Sequence, residues 1–178
     1  MKTTSILIAG FGGQGTLFAG KVLAHASLIK GLEVSWLPSY GPEMRGGTAN
    51  CSVIVSDSPI GSPIVLNPDI LIALNKPSFE KYEKVTVPGG RIFVDSTLVD
   101  IRSNRPDIEV CYVPASELAA KAVGNAGFAN IVLIGKAIST TGLFAIDDLE
   151  VALKSIVPQG KQALLEANFK ALRAGAEF

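Results

Sequence analysis

The stretch Ser5-Ile6-Leu7-Ile8-Ala9-Gly10-Phe11-Gly12-Gly13-Gln14-Gly15-Thr16 decides the fold class of this chain. Five apolar or small residues run without a break into glycine, the pattern of a strand buried on both faces of a parallel sheet. Beyond the glycines, Leu17, Val22, Leu23, Ala26 and Ile29 recur at helical spacing, so residues 16–30 are predicted to form a helix stopped by Gly31. Residues 33–37 then read as a second strand. Strand, glycine turn, helix and strand make a βαβ opening with a right-handed crossover.

Further strands are expected over residues 48–56, 69–74, 92–95 and 109–113, with one or two helical turns over 78–84. Helices are expected over 116–123, with Ser116 as N-cap, and over 126–141, ending at Gly142. Another is expected over 147–157, with Asp147 as N-cap and Glu150 completing a capping box, and a last one over 161–174. In that last helix Leu164, Leu165, Phe169 and Leu172 share one side. Strands and helices alternate early and helices dominate late. The expected fold class is α/β: a Rossmann-like, doubly wound, mostly parallel sheet with a helical C-terminal segment, one domain over residues 1–178.

Composition narrows function. Sixteen basic residues balance sixteen acidic ones, which gives no basic field for nucleic acid or an anionic membrane. Apolar residues make up 48%, enough for a dense α/β core or for further burial against partners. Cys51 and Cys111 stand 60 positions apart and read as reduced, buried thiols of a cytoplasmic protein. No stretch reads as a signal-peptide core or a membrane span.

Gly10-x-Gly12-x-x-Gly15 stands where a dinucleotide fingerprint would, between a strand and a helix. Glycines permit a tight turn, and amides at a helix N-terminus attract phosphate. The match is incomplete. The second strand carries its one acid, Glu33, at its start rather than at the end that would meet a ribose. The loop also has Gln14 where a P-loop has lysine. Dinucleotide binding, a partial phosphate site formed by Gly10, Gly12, Gly13, Gln14 and Gly15, and a turn that lets the helix pack close all stay open.

The run Ser39-Tyr40-Gly41-Pro42-Glu43-Met44-Arg45-Gly46-Gly47 follows the second strand and so belongs at the carboxyl edge of the sheet. Arg45 offers a fork for a carboxylate or phosphate, and Gly46 and Gly47 let backbone amides approach an anion. Pairing of Glu43 and Arg45 inside the fold is the alternative. His25, the one histidine, lies within the first predicted helix and reads as a packing or surface residue.

Taken in order, Gly10–Gly15, Pro38–Ala49, Ser56-Asp57-x-Pro59-Ile60-Gly61-Ser62-Pro63 and Gly124-Asn125-Ala126-Gly127-Phe128-Ala129-Asn130 with Gly135 resemble the gamma subunit of 2-oxoacid:ferredoxin (acceptor) oxidoreductases. The resemblance covers nearly the whole chain. It implies a complex that converts a 2-oxoacid and coenzyme A to acyl-CoA and carbon dioxide, passing electrons to ferredoxin. It implies alpha, beta and ferredoxin-type delta subunits as partners. These would carry the thiamine diphosphate, magnesium and iron–sulfur clusters, with no catalytic residue and no cofactor held by this chain alone. By the same resemblance, the glycine loop, Tyr40, Glu43, Arg45, Gly46, Gly47, Asn125 and Asn130 are expected to line part of a shared coenzyme A or active-site edge; 2-oxoglutarate is the favoured oxoacid, with pyruvate and 2-oxoisovalerate open. An independent Rossmann-type oxidoreductase and a non-catalytic nucleotide-binding module are the competing readings.

Overall fold

The structure, a computed structural model, describes residues 3–41 and 47–178. Its six strands are β1 (Thr4–Phe11), β2 (Glu33–Tyr40), β3 (Thr48–Ser56), β4 (Ile70–Ala73), β5 (Arg91–Asp95) and β6 (Glu109–Val113). The helices are α1 (Thr16–Ile29), α2 (Lys76–Tyr82), α3 (Ala115–Val123), α4 (Ala129–Thr141), α5 (Ile146–Ile156) and α6 (Gln162–Glu177). The strands form one sheet in the order β2-β3-β1-β4-β5-β6.

The sheet is mixed. β1, β4, β5 and β6 pair in parallel, while β3 runs antiparallel to both β1 and β2. The βαβ opening is thereby corrected in one respect. β1 and β2 do not pair with each other, because β3 lies between them. β2 also runs three residues past the expected 33–37 and includes Pro38. Proline lacks the amide a central strand needs, and β2 is an edge strand, where that loss is tolerated.

The continuous apolar run of β1 is used on both sides. Ile6 and Ile8 join Val53, Ile72 and Phe93 beneath α1, α3, α4, α5 and α6. Leu7 turns the other way, with Leu71, Ile92 and Val94, onto Phe79 of α2 and onto Val99. The two faces are unequally covered, with five helices on one and a single short helix on the other. No helix among the described residues is long and apolar enough to cross a membrane.

α2 starts at Lys76, two residues before the expected 78, and α6 at Gln162, one after the expected 161; three further helix starts differ for a local reason. Pro114, not Ser116, precedes α3. Ser116 instead donates its hydroxyl to Asp95 Oδ2 at 2.5 Å, while its amide donates to Oδ1 at 3.2 Å. The 126–141 segment splits into a 3-10 turn, Ala126–Phe128, and α4, because the Asn125 side chain accepts from the Gly127 amide at 2.8 Å and caps the turn. α5 starts at Ile146, and Asp148 rather than Glu150 reaches back, accepting from the Ala145 amide at 3.0 Å. α6 runs three residues past the expected 174.

Glycines set two close approaches. A Cβ on Gly135 of α4 would lie 2.0 Å from the Leu172 carbonyl oxygen, and one on Gly175 of α6 would lie 1.9 Å from that of Val132. These helices therefore meet backbone to backbone. On α1, a Cβ on Gly20 would lie 2.2 Å from Cys51 Sγ, so α1 rests directly on β3.

Gly135→Ala and Gly175→Ala should each destabilise the fold by about 1–3 kcal/mol or more, since neither backbone can yield without moving a helix. That corresponds to losses of about 2–4 °C in Tm per kcal/mol for a chain of this size. Gly61→Ala, which meets nothing within 4 Å, should be neutral in the same thermal melts. Burial, opposed by a weaker hydrogen bond from Trp36, pushes the Cys51 thiol from an ordinary 9.0 up to about 12. Folding thus favours the protonated thiol. That contribution is complete below pH 9 and is lost as the pH rises toward 12. Denaturant titrations of Cys51→Ala should show a shallower alkaline loss of stability than the parent; equal slopes would contradict this.

Candidate functional site at the carboxyl edge

β1 delivers Phe11 to the carboxyl edge, and after four intervening residues α1 begins at Thr16. Gly13 (φ 100°) and Gly15 (φ 74°) both adopt left-handed backbone, which a side chain would strain. Gly15 is constrained twice, because a Cβ there would also lie 2.4 Å from Asn130 Nδ2.

Two side chains predicted to meet ligand are turned into the fold instead. Gln14 Oε1 accepts from the Phe11 amide at 2.7 Å and from Asn75 Nδ2 at 3.0 Å. Its Nε2 donates to the Leu74 carbonyl at 3.0 Å. The buried Asn130 donates Nδ2 to the Gly15 carbonyl at 3.0 Å. Asn75 in turn caps α2, accepting from the Ser78 amide at 2.9 Å. One continuous set of hydrogen bonds thus ties β1, β4, α2, the glycine loop and α4 together.

The second motif joins this loop directly. The Gly12 amide donates to the Gly47 carbonyl at 2.8 Å, and the Gly41 amide donates to Thr48 O at 3.3 Å. Both ends of the 42–46 segment are therefore held at the carboxyl edge beside the glycine turn. Glu43, Arg45 and Gly46 lie outside the described residues. Gly12, Gly13, Gly15 and Tyr40 do come together, lining a cleft of about 360 Å³. Gly10 sits within β1, where a Cβ would lie 2.8 Å from Gln14 Oε1. Asn125 is engaged locally in its turn.

Thr16, Leu17, Phe18 and Ala49 complete the cleft, and sequence reasoning had missed all four. The first three form the first turn of α1, whose apolar Leu17-Phe18 pair was the available signal, and Ala49 lies on β3. Asn75 was also missed, although Asn followed by Lys76-Pro77 at a strand end is a helix-start signature. The buried Asp95 was missed as well; it gathers Ser116 and the Thr97 amide (3.1 Å) and organises the start of α3. His25 lies on α1 with Nδ1 3.2 Å from the Ser155 hydroxyl, away from the cleft residues.

The arrangement disfavours a dinucleotide site. In that fold the second strand lies beside the first, and an acid at its end reaches the ribose. Here β3 intervenes, displacing the end of β2 by one further strand spacing of about 4.8 Å. The cleft walls of Leu17, Phe18, Tyr40 and Ala49 are apolar or aromatic, over a floor of glycine backbone.

In its α/β fold the chain is similar to a gamma subunit of a keto/oxoacid ferredoxin oxidoreductase. The crystal structure of that subunit from Geobacter sulfurreducens superposes with a TM-score of 0.83 at 33% identity, covering 98% of this chain and 96% of the other. The chain belongs to the pyruvate ferredoxin/flavodoxin oxidoreductase family, whose model matches residues 5–178. It is 41% identical over 175 residues to the ketoisovalerate oxidoreductase subunit VorA of Methanothermobacter thermautotrophicus, covering 97% of this chain but 36% of that relative. It is 39% identical over 179 residues to the 2-oxoglutarate synthase subunit KorC of Methanothermobacter marburgensis, covering 97% of this chain and 95% of that relative. The chain therefore spans about a third of the length of the VorA relative and nearly all of the KorC relative.

Gln14→Ala removes a partner from the Phe11 amide, the Leu74 carbonyl and Asn75. It should destabilise the fold by about 1–3 kcal/mol, the cost of part-buried groups left unpaired. Urea titration measures this; a neutral Gln14→Ala would return Gln14 to the ligand-facing set.

Proposed function

We propose that this chain is the gamma-type subunit of a thiamine-diphosphate-dependent 2-oxoacid:ferredoxin oxidoreductase. The complex would oxidatively decarboxylate a 2-oxoacid with coenzyme A to acyl-CoA and carbon dioxide. The chain's own part is architectural, together with one wall of a shared coenzyme A edge. The observation that carries this reading is the hydrogen bond from Gly12 to Gly47. It fuses the two motifs into one edge beside a cleft with apolar walls and a glycine floor. Such a cleft suits a long, weakly polar arm that ends in anionic groups, which is the chemistry of coenzyme A. Arg45 is assigned to an anionic group of that molecule, and Glu43 and Gly46 to the same segment.

This reading assigns neither an iron–sulfur cluster nor a magnesium–diphosphate site to the described residues. Among them no three His, Cys, Asp or Glu converge as metal ligands. The chain's two cysteines, Cys51 on β3 and Cys111 on β6, fall short of the four thiolates that hold a cluster. Thiamine diphosphate, magnesium and the clusters are therefore assigned to the alpha, beta and delta partners, and electrons reach ferredoxin through those chains. 2-Oxoglutarate is favoured as substrate because the chain matches nearly the full length of a 2-oxoglutarate synthase subunit. The higher identity to a ketoisovalerate oxidoreductase subunit supports 2-oxoisovalerate as the second choice, ahead of pyruvate.

The test is to purify the complex from its own cells through a tag on this chain. Ferredoxin reduction is then assayed with coenzyme A and each of the three oxoacids. Fastest reduction with 2-oxoglutarate is expected, and no oxoacid-dependent reduction would overturn the proposal. In the reconstituted complex, Arg45→Ala should raise KM for coenzyme A about 10- to 100-fold, the worth of one charged hydrogen bond. Unchanged assembly and unchanged turnover at limiting coenzyme A would remove Arg45 from that role.

A further inference from the structure

The two edges of the sheet are built differently. At one edge, β6 has five residues, and Arg102 lies 3.9 Å above the Tyr112 ring, whose hydroxyl accepts from the Ser103 amide at 2.7 Å. The Arg91–Glu109 ion pair (2.7 Å) adds charge to the same edge. Covering loops and charge are what protect an edge that stays in water. At the other edge, β2 has eight residues and one charged side chain, Glu33 at its start. Trp36 is 40% exposed, Leu37 39% and Tyr40 60%. Trp36 and Tyr40 share the α1 face with Val34, and Leu37 turns to the opposite face. Tyr40 also forms a wall of the 360 Å³ cleft with Leu17 and Phe18. Apolar surface therefore continues from the strand edge into the cleft.

Relatives of two lengths indicate what covers this edge. In the ketoisovalerate oxidoreductase relative the matched region is 36% of the polypeptide, so most of that chain is joined to it covalently. In the 2-oxoglutarate synthase relative it is 95%, so any such neighbour must be held by surface contact. We infer that the β2 edge, with Trp36, Leu37 and Tyr40, is the docking surface for the polypeptide that corresponds to the remaining two-thirds of the longer relatives. Pro38 removes a backbone donor within this edge, which disfavours simple strand addition. Docking therefore rests on the three large side chains, with aromatic anchors of the kind that dominate interfaces.

This inference rests on the proposed function, and one experiment separates the two. The purified full-length chain is mixed with the separately expressed polypeptide homologous to the remaining part of the longer relatives, and association is followed by sedimentation. Hydrogen exchange is measured across β2. The parent chain should bind with slowed exchange in β2. Leu37→Glu should weaken binding at least about 30-fold, with the parent's circular dichroism retained. Val151→Glu on α5, at a side chain 47% exposed, should bind as the parent does. Tyr40→Ser, which introduces no charge, should also weaken binding and serves if Leu37→Glu fails to fold. If the parent binds but both β2 variants bind equally well, the docking surface is wrong and the proposed function stands. If the parent does not bind that polypeptide, the assembly reading falls and this inference falls with it. A self-associating chain whose β2 is protected without the partner would assign the edge to a second copy and overturn the proposal.

Discussion

Everything at the carboxyl edge hangs on one side chain, the amide of Gln14. It reaches under its own turn to the Phe11 amide, across to the Leu74 carbonyl and onward to Asn75. An amide has donors and an acceptor on one planar group, so Gln14 can close the end of β1 and the end of β4 together. Each bond contributes only about 1 kcal/mol net, but leaving the partners unpaired costs more than the bonds contribute. Asn130 supplies the matching hold from α4 on the Gly15 carbonyl. Between them the glycine turn is fixed from both sides, and its left-handed residues follow from that fixed path.

The placement of β3 is the second constraint. A strand returning antiparallel between β1 and β2 turns what would be a βα connection into a hairpin connection. Its ends at Gly41 and Gly47 must then fall beside the glycine turn, and the bond from Gly12 to Gly47 records that proximity. The same insertion moves β2 to the edge of the sheet, out of the place where a ribose-binding acid would act. A loop with the spacing of a nucleotide site is thereby converted into one side of a cleft.

Much of this was legible in the sequence because it depends on local pattern. The apolar run of β1, the period of α1 and the stops at Gly31 and Gly142 needed no tertiary information. Both stops are glycines with left-handed backbone. What failed depended on partners distant in the chain. Ser116 looked like a cap, yet the buried Asp95 draws its hydroxyl away. The second strand was expected over residues 33–37, yet it runs on through Pro38, which the position of β2 at an edge makes acceptable. Gln14 and Asn130 were expected at the ligand edge and bond inside the fold instead; a polar side chain next to a glycine turn can face ligand or protein, and spacing does not distinguish the two. The strand order was equally hidden, since a hairpin and a crossover can begin with the same strand and turn residues.

The apolar excess of the composition can now be placed. A sheet buried on both sides absorbs much of it in β1, β4 and β5, where residues facing either way are covered. The crossing of α4 and α6 absorbs more, because glycine contacts bring apolar neighbours such as Ile131, Ile134 and Leu172 into a dense layer. Neither device reaches β2. As the edge strand it has a neighbour on one side only, and its two faces carry the exposed Trp36, Leu37 and Tyr40 rather than charge. A protein with zero formal charge and an uncovered aromatic edge gains by burying that edge, since it has little net charge to hold another surface away. The strand order that removes the dinucleotide site is thus also what brings the least protected apolar surface to the cleft.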